Sequence, residues 1–228
     1  NMNNLILQTI VDDIAFDSLS ISWQDHDFSA FSRSKTLYDF QQKALQNTVK
    51  ALWEYYGHPE DFASIPEDKK ELKRKDRFFR LYQNNGFTHE LDFDLRKKEG
   101  KQSANFLLEY DKDYQAVNDK IDFKYFINRM SFWMATGSGK TLIIVKLLEI
   151  LHKAILNKEI PANDILFLAH RDDLLEQFKR HVDEFNQFRS GVRINLHSLR
   201  DYENIKRTNL FSFANNEINV FYYRSDLL

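Results

Sequence analysis

The amino-acid sequence predicts an α/β fold in which a parallel sheet carries helices on both faces. An apolar run at Met130–Met134, with the pattern of a strand, enters a glycine-bearing loop that passes directly into a helical pattern at Leu142–Ile150. A second apolar run of strand length, Ile165–Ala169, is followed by a helical pattern at Leu174–Phe188. Because strands that alternate with helices pair in parallel through crossover connections, this order indicates βαβα units.

Composition places the chain among ordinary globular proteins and excludes several kinds of site. The 228 residues are 43% hydrophobic and 29% charged, and none is cysteine, which removes disulfides, zinc–thiolate centres and thiol nucleophiles. No apolar run approaches the roughly 18–20 residues that span a bilayer, and the first residues lack a secretion signal. We therefore expect a cytoplasmic protein without a membrane partner. A net charge of −2 means that any contact with a polyanion must be local.

The first third of the chain contains one clear helix. Leu5–Phe31 mixes short apolar runs with Asp and Ser, so short strands and an irregular lead-in both remain open. From Leu37 to Tyr56 apolar residues recur at steps of three and four, which predicts an amphipathic helix that stops at Gly57.

A highly charged segment follows at Pro66–Arg80. Its mixed signs are typical of a solvated helix face. The alternative is a patch that contacts nucleic-acid phosphates, with Phe78, Phe79 and Tyr82 available for stacking. Beyond it, Phe106–Tyr110 has the pattern of a strand and Tyr114–Asn128 has helical spacing.

The remaining elements complete the predicted sheet. Thr141–Leu156 is apolar on nearly every turn, as expected for a helix packed on a sheet, and Ile165–Ala169 suits a buried parallel strand. Val192–Leu196 and Ile218–Tyr223 follow as strands, separated by the polar stretch Ser198–Asn209.

The loop Gly137–Thr141 has the composition of a phosphate-binding P-loop. Two glycines permit positive φ and leave backbone N–H groups unobstructed, and the next helix offers its N-terminus to an anion. Lys140 would reach the β- and γ-phosphates, and the Thr141 hydroxyl would ligate Mg²⁺. The string departs from G-x-x-x-x-G-K-[ST] only at Met134, which replaces the first glycine. A strand-to-helix turn with a surface lysine is the alternative.

Three stretches carry a resemblance to superfamily 2 helicases. MATGSGKT, residues 134–141, is similar to their motif I, and LFLAHRDDLLEQF, Leu166–Phe178, looks like motif Ia. LYDFQQKAL, Leu37–Leu45, resembles their L-R-x-Y-Q-x-x-A element. The phrase F-L-A-H-R-D-D-L-L-E-Q is most similar to the motor subunits of type I and type III restriction enzymes and related DEAD/DEAH-type translocases. The strand end Val220–Asp226 fits the same group.

The resemblance implies a RecA-like first motor lobe that uses ATP and Mg²⁺. Lys140 and Thr141 would be catalytic, and Thr141 would also ligate the metal. The residues implied to bind the nucleotide are Gln41, Thr136, Gly137, Ser138, Gly139, Lys140 and Thr141. Gln41 would read the adenine edge through its amide; alternatively it is a solvent-facing glutamine on a helix.

The resemblance also implies nucleic-acid contacts after the strand Ile165–Ala169. Arg171 would touch a phosphate, and Gln177 lies on the helix of the same motif. The alternative for Arg171 is an ion pair with Asp172, Asp173 or Glu176. The two aspartates stand too far beyond the strand for a metal-ordering acidic motif, so we expect them to cap the next helix.

The implied organisation has four parts. Residues 1–36 form a lead-in, 37–57 the adenine-motif helix, 58–128 an inserted, mostly helical subdomain, and 129–228 the first RecA-like lobe. No strand-terminal acidic pair of the D-E-A-D or D-E-A-H kind occurs before Leu228. We therefore expect the N-terminal piece of a larger motor that binds ATP but hydrolyses it poorly by itself.

The leading functional hypothesis is an ATP-dependent helicase or translocase that acts on DNA rather than RNA, as the motor of a restriction endonuclease. The resemblance implies a methyltransferase or specificity subunit as a protein partner. A nucleotide-binding regulatory module, an RNA helicase and a P-loop transferase acting on a small molecule are the alternatives.

Overall fold

The computed structural model describes residues 5–88, 92–96, 116–189, 191–207 and 216–227. They belong to two compact units. The first comprises residues 1–15 and 50–132, and the second comprises residues 16–49 and 133–228. In the described ranges no helix combines the length and hydropathy needed to cross a membrane. The predicted strand Phe106–Tyr110 lies outside the described residues.

The first unit is mainly helical. Helix α1 spans Ile6–Asp13, and helix α3 spans Asp39–Tyr56, of which residues 50–56 belong to this unit. Helix α4 spans Glu67–Asn84. Two short antiparallel strands, β1 (Phe93–Asp94) and β2 (Lys120–Ile121), also belong to its described part. The buried residues of its core are Ile10, Tyr55, Phe78, Phe79, Tyr82 and Ile127.

Helix α4 turns its aromatic side chains inward. Phe78 is fully buried and packs edge-on against Tyr55, while Phe79 and Tyr82 are 9% and 5% exposed. The alternative in which these three rings are available to stack on bases is therefore wrong. The spacing of the aromatic residues places them on the apolar face of the helix, which the first unit needs for its core.

The segment Tyr114–Asn128 is not the predicted helix. Its described part contains a turn with positive φ at Asn118 and Asp119, strand β2, and a 3₁₀ turn at Phe123–Phe126. Two consecutive residues with positive φ are incompatible with a right-handed helix, so local turn geometry overrides the apolar spacing.

The second unit contains a three-stranded parallel sheet flanked by helices, as predicted for a RecA-like lobe. Its strands are β3 (Ile165–Ala169), β4 (Arg193–Ser198) and β5 (Glu217–Arg224), in the order β3–β5–β4. Ile165 lies opposite Val220, and Ile194 lies opposite Ile218. The helices are α2 (Ile21–Gln24), residues 39–49 of α3, α5 (Lys140–Leu156), α6 (Asp172–Phe188) and α7 (Tyr202–Arg207).

Strand β3 is present as predicted, but it is not buried on both faces. Among the described residues it pairs with β5 alone, and Leu166 and Leu168 are 45% and 41% exposed. Phe167, on the opposite face, stacks on Phe178 of α6 with ring centroids 3.9 Å apart. An apolar run of five residues predicts that a strand forms. Whether each face of that strand is buried depends on the elements that pack against it.

The run Met130–Met134 does not form the predicted strand. The structure shows it without regular secondary structure, and Trp133 is 91% exposed. A strand requires hydrogen bonds from a neighbouring strand, and none of the described strands lies beside this run. The glycine loop is therefore entered from irregular backbone.

The undecided region at the start of the chain is helical in part. Leu5–Phe31 contains α1, α2 and a 3₁₀ turn at Phe16–Ser18 rather than strands. Helices α3 and α5 match their predicted positions within a few residues, because apolar spacing and helix stops are local signals.

Candidate functional site

The glycine loop forms a tight turn at the N-terminus of helix α5. Gly137 and Gly139 have φ angles of 80° and 77°, in the left-handed region, and the N–H of Ser138 donates to the carbonyl of Ala135 at 3.2 Å. Gly139 is the N-cap of α5 and has no side chain with which to cap it. The first N–H groups of the helix are therefore left for an anion, as a phosphate site requires.

Lys140 lies over this loop and is exposed. Its ammonium group donates to the carbonyls of Met134 and Ala135, both at 2.9 Å. An ammonium group has three donors, so a third remains for a phosphate oxygen. The lysine is thus held by the backbone of two residues that precede the loop.

Thr141 occupies the first turn of α5, and its hydroxyl faces helix α6. The hydroxyl Oγ1 donates to the amide oxygen Oε1 of Gln177 at 3.3 Å. Both residues are half-buried. The structure therefore brings Gln177, a residue predicted to serve nucleic acid, into contact with the residue predicted to ligate Mg²⁺.

Gln41 is anchored to the glycine loop. Its Nε2 donates to the carbonyl of Ser138 at 2.7 Å, and its Oε1 accepts from the N–H of Tyr38 at 2.9 Å. Only 2% of the residue is exposed, so it is not a solvent-facing helix glutamine. A Cβ at Gly139 would lie 2.5 Å from Gln41 Nε2, so this approach requires glycine at that position. The adenine-reading role of Gln41 stays a prediction.

The loop fits a triphosphate with Mg²⁺. Its donors are the N–H groups at the start of α5 and the ammonium of Lys140, and nothing lies within 4 Å of a Cβ built on Gly137. Among the described residues no cluster of three His, Asp or Glu side chains could hold a metal ion. The Thr141 hydroxyl offers an oxygen that could serve as one ligand of Mg²⁺, and phosphate oxygens and water would supply the rest of an octahedral shell.

Arg171 and the two aspartates after it lie at the start of α6. Arg171 forms a two-point ion pair with Asp173, with Nε–Oδ1 and Nη2–Oδ2 distances of 2.8 and 2.6 Å. The guanidinium lowers the pKa of the Asp173 carboxyl. Arg171 is itself the N-cap, so the aspartates occupy the first turn rather than the cap position that we expected. In the described part of the chain, no hydrogen bond or ion pair links Arg171 to the glycine loop.

A network of ion pairs that was not predicted from the sequence involves Lys146 and Glu149 of helix α5. Lys146 is fully buried and donates to the carbonyl of Ala30 at 2.8 Å, and it pairs with Glu149 at 2.5 Å. Arg189 bridges Glu149 and Asp27 at 2.5 and 3.0 Å. The sequence does contain a signal for this network, which is a lysine among apolar neighbours in the middle of a predicted helix. A lysine that is buried with such neighbours needs partners for its ammonium group.

Asp27, a member of this network, and His26, next to Asp27 in the chain, both have displaced pKa values. Burial lowers the pKa of His26 to about 4, and the charge of Lys153 adds to the effect. For Asp27, partial burial opposes ionisation, but the N–H groups of Ala30 and Ser29 and the charge of Lys146 outweigh it and lower its pKa to about 2. Near neutral pH the segment therefore holds a neutral imidazole next to an ionised carboxylate.

A known protein family matches most of the chain. The family described as type III restriction enzyme, res subunit, matches residues 34–225, well over half of the chain. The matched range contains Gln41, the glycine loop and the strands of the parallel sheet. No curated protein and no solved structure matches the chain.

Proposed function

We propose that this chain, which belongs to the family of type III restriction enzyme res subunits, is the ATP-binding part of an ATP-dependent DNA helicase or translocase. The family consists of helicase-like motors, and the second unit has the parallel sheet, flanked by helices, of a RecA-like motor lobe. We propose further that the nucleic acid on which this motor acts is DNA.

The observation that carries the proposal is the loop at the start of α5. It combines two left-handed glycines, a helix N-terminus without a side-chain cap, and the ammonium of Lys140 held over the turn. The helix N-terminus and the ammonium favour negative charge, and the glycines leave the backbone N–H groups unobstructed, which is the arrangement that binds phosphate.

The proposed roles follow from the position of each group. The backbone from Thr136 to Gly139 cradles the phosphates, and Lys140 donates to the β- and γ-phosphate oxygens. Thr141 ligates Mg²⁺, which when bound neutralises charge that develops on the phosphates during transfer. Gln41 holds the loop through Ser138 and offers the rest of its amide to the adenine edge.

Arg171 is the proposed contact to the DNA backbone. It is exposed at the N-terminus of α6, and its guanidinium can donate to a phosphate oxygen. Asp172 and Asp173 in the first turn offset the positive end of the helix dipole, so the guanidinium is the group that carries the contact. Its ion pair with Asp173 is a surface pair of small strength, so a phosphate can compete for it. Such a contact positions the strand without reading its sequence.

ATP binding is the first experiment. We expect the chain to bind ATP in the presence of Mg²⁺, and we expect Lys140→Ala to weaken binding at least about tenfold, as for loss of a charged hydrogen bond. Lys43→Ala is the matched control, because Lys43 is an exposed lysine on α3 of the same unit. Absence of ATP binding by the folded wild-type chain would overturn the proposal.

Nucleic-acid dependence separates the alternatives. We expect the ATPase activity of the protein to rise with DNA and to be lost in Lys140→Ala. Stimulation by RNA alone would favour an RNA helicase, and ATP binding without stimulation by either polymer would favour a regulatory module. Both of those results contradict the DNA-motor proposal.

A further inference from the structure

The contact between Thr141 and Gln177 has a chemical direction. An amide oxygen has no proton, so in this hydrogen bond the threonine hydroxyl is the donor and Gln177 Oε1 is the acceptor. A hydroxyl has one proton and two lone pairs. When its proton is directed at Gln177, its lone pairs are directed elsewhere, and they are the part of the group that can ligate a metal ion.

The position of Gln177 is fixed by the packing of helix α6. The next residue, Phe178, is fully buried and stacks on Phe167 of β3. Leu175 is also buried, and α6 packs against α5, which carries Thr141. The amide oxygen therefore approaches the hydroxyl from a rigid element, which is the condition for orienting a metal ligand.

We propose that Gln177 is a positioning residue for the magnesium site, whose amide oxygen holds the Thr141 hydroxyl in the orientation that presents a lone pair to Mg²⁺. The inference rests on the proposed function, because it takes Mg²⁺–ATP as the ligand of the loop. It gives Gln177 a role at the nucleotide rather than at the nucleic acid.

The test compares ATP affinity with and without the metal. The dissociation constant of a fluorescent ATP analogue is measured in excess Mg²⁺ and in EDTA, and the ratio of the EDTA value to the Mg²⁺ value reports the metal's contribution. Gln177→Met keeps the length of the side chain but removes the amide oxygen. We expect this variant to lower the ratio by about 10–100-fold, as for other groups that orient metal ligands.

Two further variants distinguish orientation from a general structural role. Gln177→Glu retains an acceptor oxygen at the same reach, and we expect its ratio to be at least that of the wild type. Gln187→Met makes the same change at an exposed position of the same helix, and we expect no change in the ratio. Thermal unfolding by circular dichroism shows whether each variant is folded.

A double-variant cycle shows whether Gln177 acts through Thr141. Thr141→Val removes the hydroxyl and keeps the shape of the side chain. We expect Gln177→Met to lower the ratio no further in this background, because the group it orients is gone. Equal and independent reductions would overturn the inference.

The remaining outcomes separate this inference from the proposed function. If the wild type binds Mg²⁺–ATP and depends on Lys140, but Gln177→Met leaves the ratio unchanged, only the role of Gln177 is overturned. The role of Gln177 is also overturned if Gln177→Glu lowers the ratio as much as Gln177→Met does. If the wild type binds no ATP, the proposed function fails and the inference fails with it.

Discussion

The side-chain amide of Gln41 donates a 2.7 Å hydrogen bond to the carbonyl of Ser138, 97 positions further along the chain. This contact ties the start of helix α3 to the turn that precedes α5. It acts on the backbone of the loop, so Gln41 affects the shape of the phosphate site whether or not it also touches a base. Loss of the Gln41 amide is therefore expected to change the shape of the phosphate site.

Removing the amide of Gln41 should weaken nucleotide binding. Gln41→Leu leaves the Ser138 carbonyl without its donor in a partly buried position, which costs about 1–3 kcal/mol. We expect ATP affinity, measured by titration calorimetry, to fall roughly tenfold, since about 1.4 kcal/mol corresponds to a factor of ten. Gln42→Leu is the control, because the side-chain amide of Gln42 donates to the nearby carbonyl of Leu37.

The comparison of ATP with GTP tests the base-reading role of the same residue. If Gln41 contacts adenine as well as the loop, Gln41→Leu should reduce affinity for ATP more than affinity for GTP. Equal losses for both nucleotides would mean that the loop contact accounts for the whole effect, contrary to the adenine-reading prediction.

Alanine at Gly139 should disable the loop for two separate reasons. Its φ of 77° is strained for residues with a Cβ, by about 1–2 kcal/mol, and the new methyl group would lie 2.5 Å from Gln41 Nε2. We expect Gly139→Ala to lose ATP binding, measured with the same titration. Gly86→Ala, with a φ of 86° and open space around it, should lower the melting temperature without affecting ATP.

A second substitution separates the clash from the backbone strain. In Gln41→Ala/Gly139→Ala the colliding amide is absent, so we expect part of the lost affinity to return relative to Gly139→Ala alone. No recovery would show that backbone strain explains the entire loss and that the close approach of Gln41 is unimportant.

Arg171 should matter for DNA and not for ATP. We expect Arg171→Ala to weaken DNA binding several-fold and to reduce the dependence of that binding on salt, because a phosphate contact releases counterions. ATP affinity should be unchanged. Arg180→Ala, at an exposed position on the same helix, is the control for a change in net charge. Fluorescence anisotropy with labelled DNA at several salt concentrations provides the measurement.

Removing the ion-pair partner of Arg171 should have the opposite effect on DNA binding. Asp173→Asn removes the carboxylate that occupies the guanidinium, so DNA binding should become stronger. If Arg171→Ala and Asp173→Asn both leave DNA affinity unchanged, the start of α6 is not a DNA contact.

The stability of the chain should fall between neutral and mildly acidic pH, partly because of His26. Burial depresses the pKa of this imidazole from 6.5 to about 4, although Asp25 and Glu149 favour its charged form. Between these pH values the unfolded chain binds a proton that the folded chain does not. Stability is therefore fully present above pH 6.5 and is lost as pH falls toward 4.

Substitution of His26 measures this contribution. We expect the urea midpoint of His26→Asn to fall less between pH 7.5 and pH 5 than that of the wild type. His170→Asn, at an exposed position, should retain the wild-type dependence. An identical pH dependence in all three proteins would show that His26 is not kept neutral by folding.

Prediction from the sequence succeeded where the signal was local. Helices α3 and α5 follow from apolar spacing, and the left-handed turn before α5 follows from its two glycines. Strand β3 was also found, but its burial was overestimated, because exposure of Leu166 depends on what lies beside the sheet. Met130–Met134 failed as a strand for a related reason, since a strand needs pairing partners from elsewhere in the chain.

The sequence by itself determined the order of the elements, the phosphate-binding composition of Gly137–Thr141 and the family to which the chain belongs, because these depend on residue type and spacing. Only the tertiary structure decided that Gln41 holds the loop, that Gln177 faces Thr141, and that the aromatic residues of α4 are buried. Contacts between residues distant in sequence depend on how helices pack and where side chains point, and no local pattern specifies either.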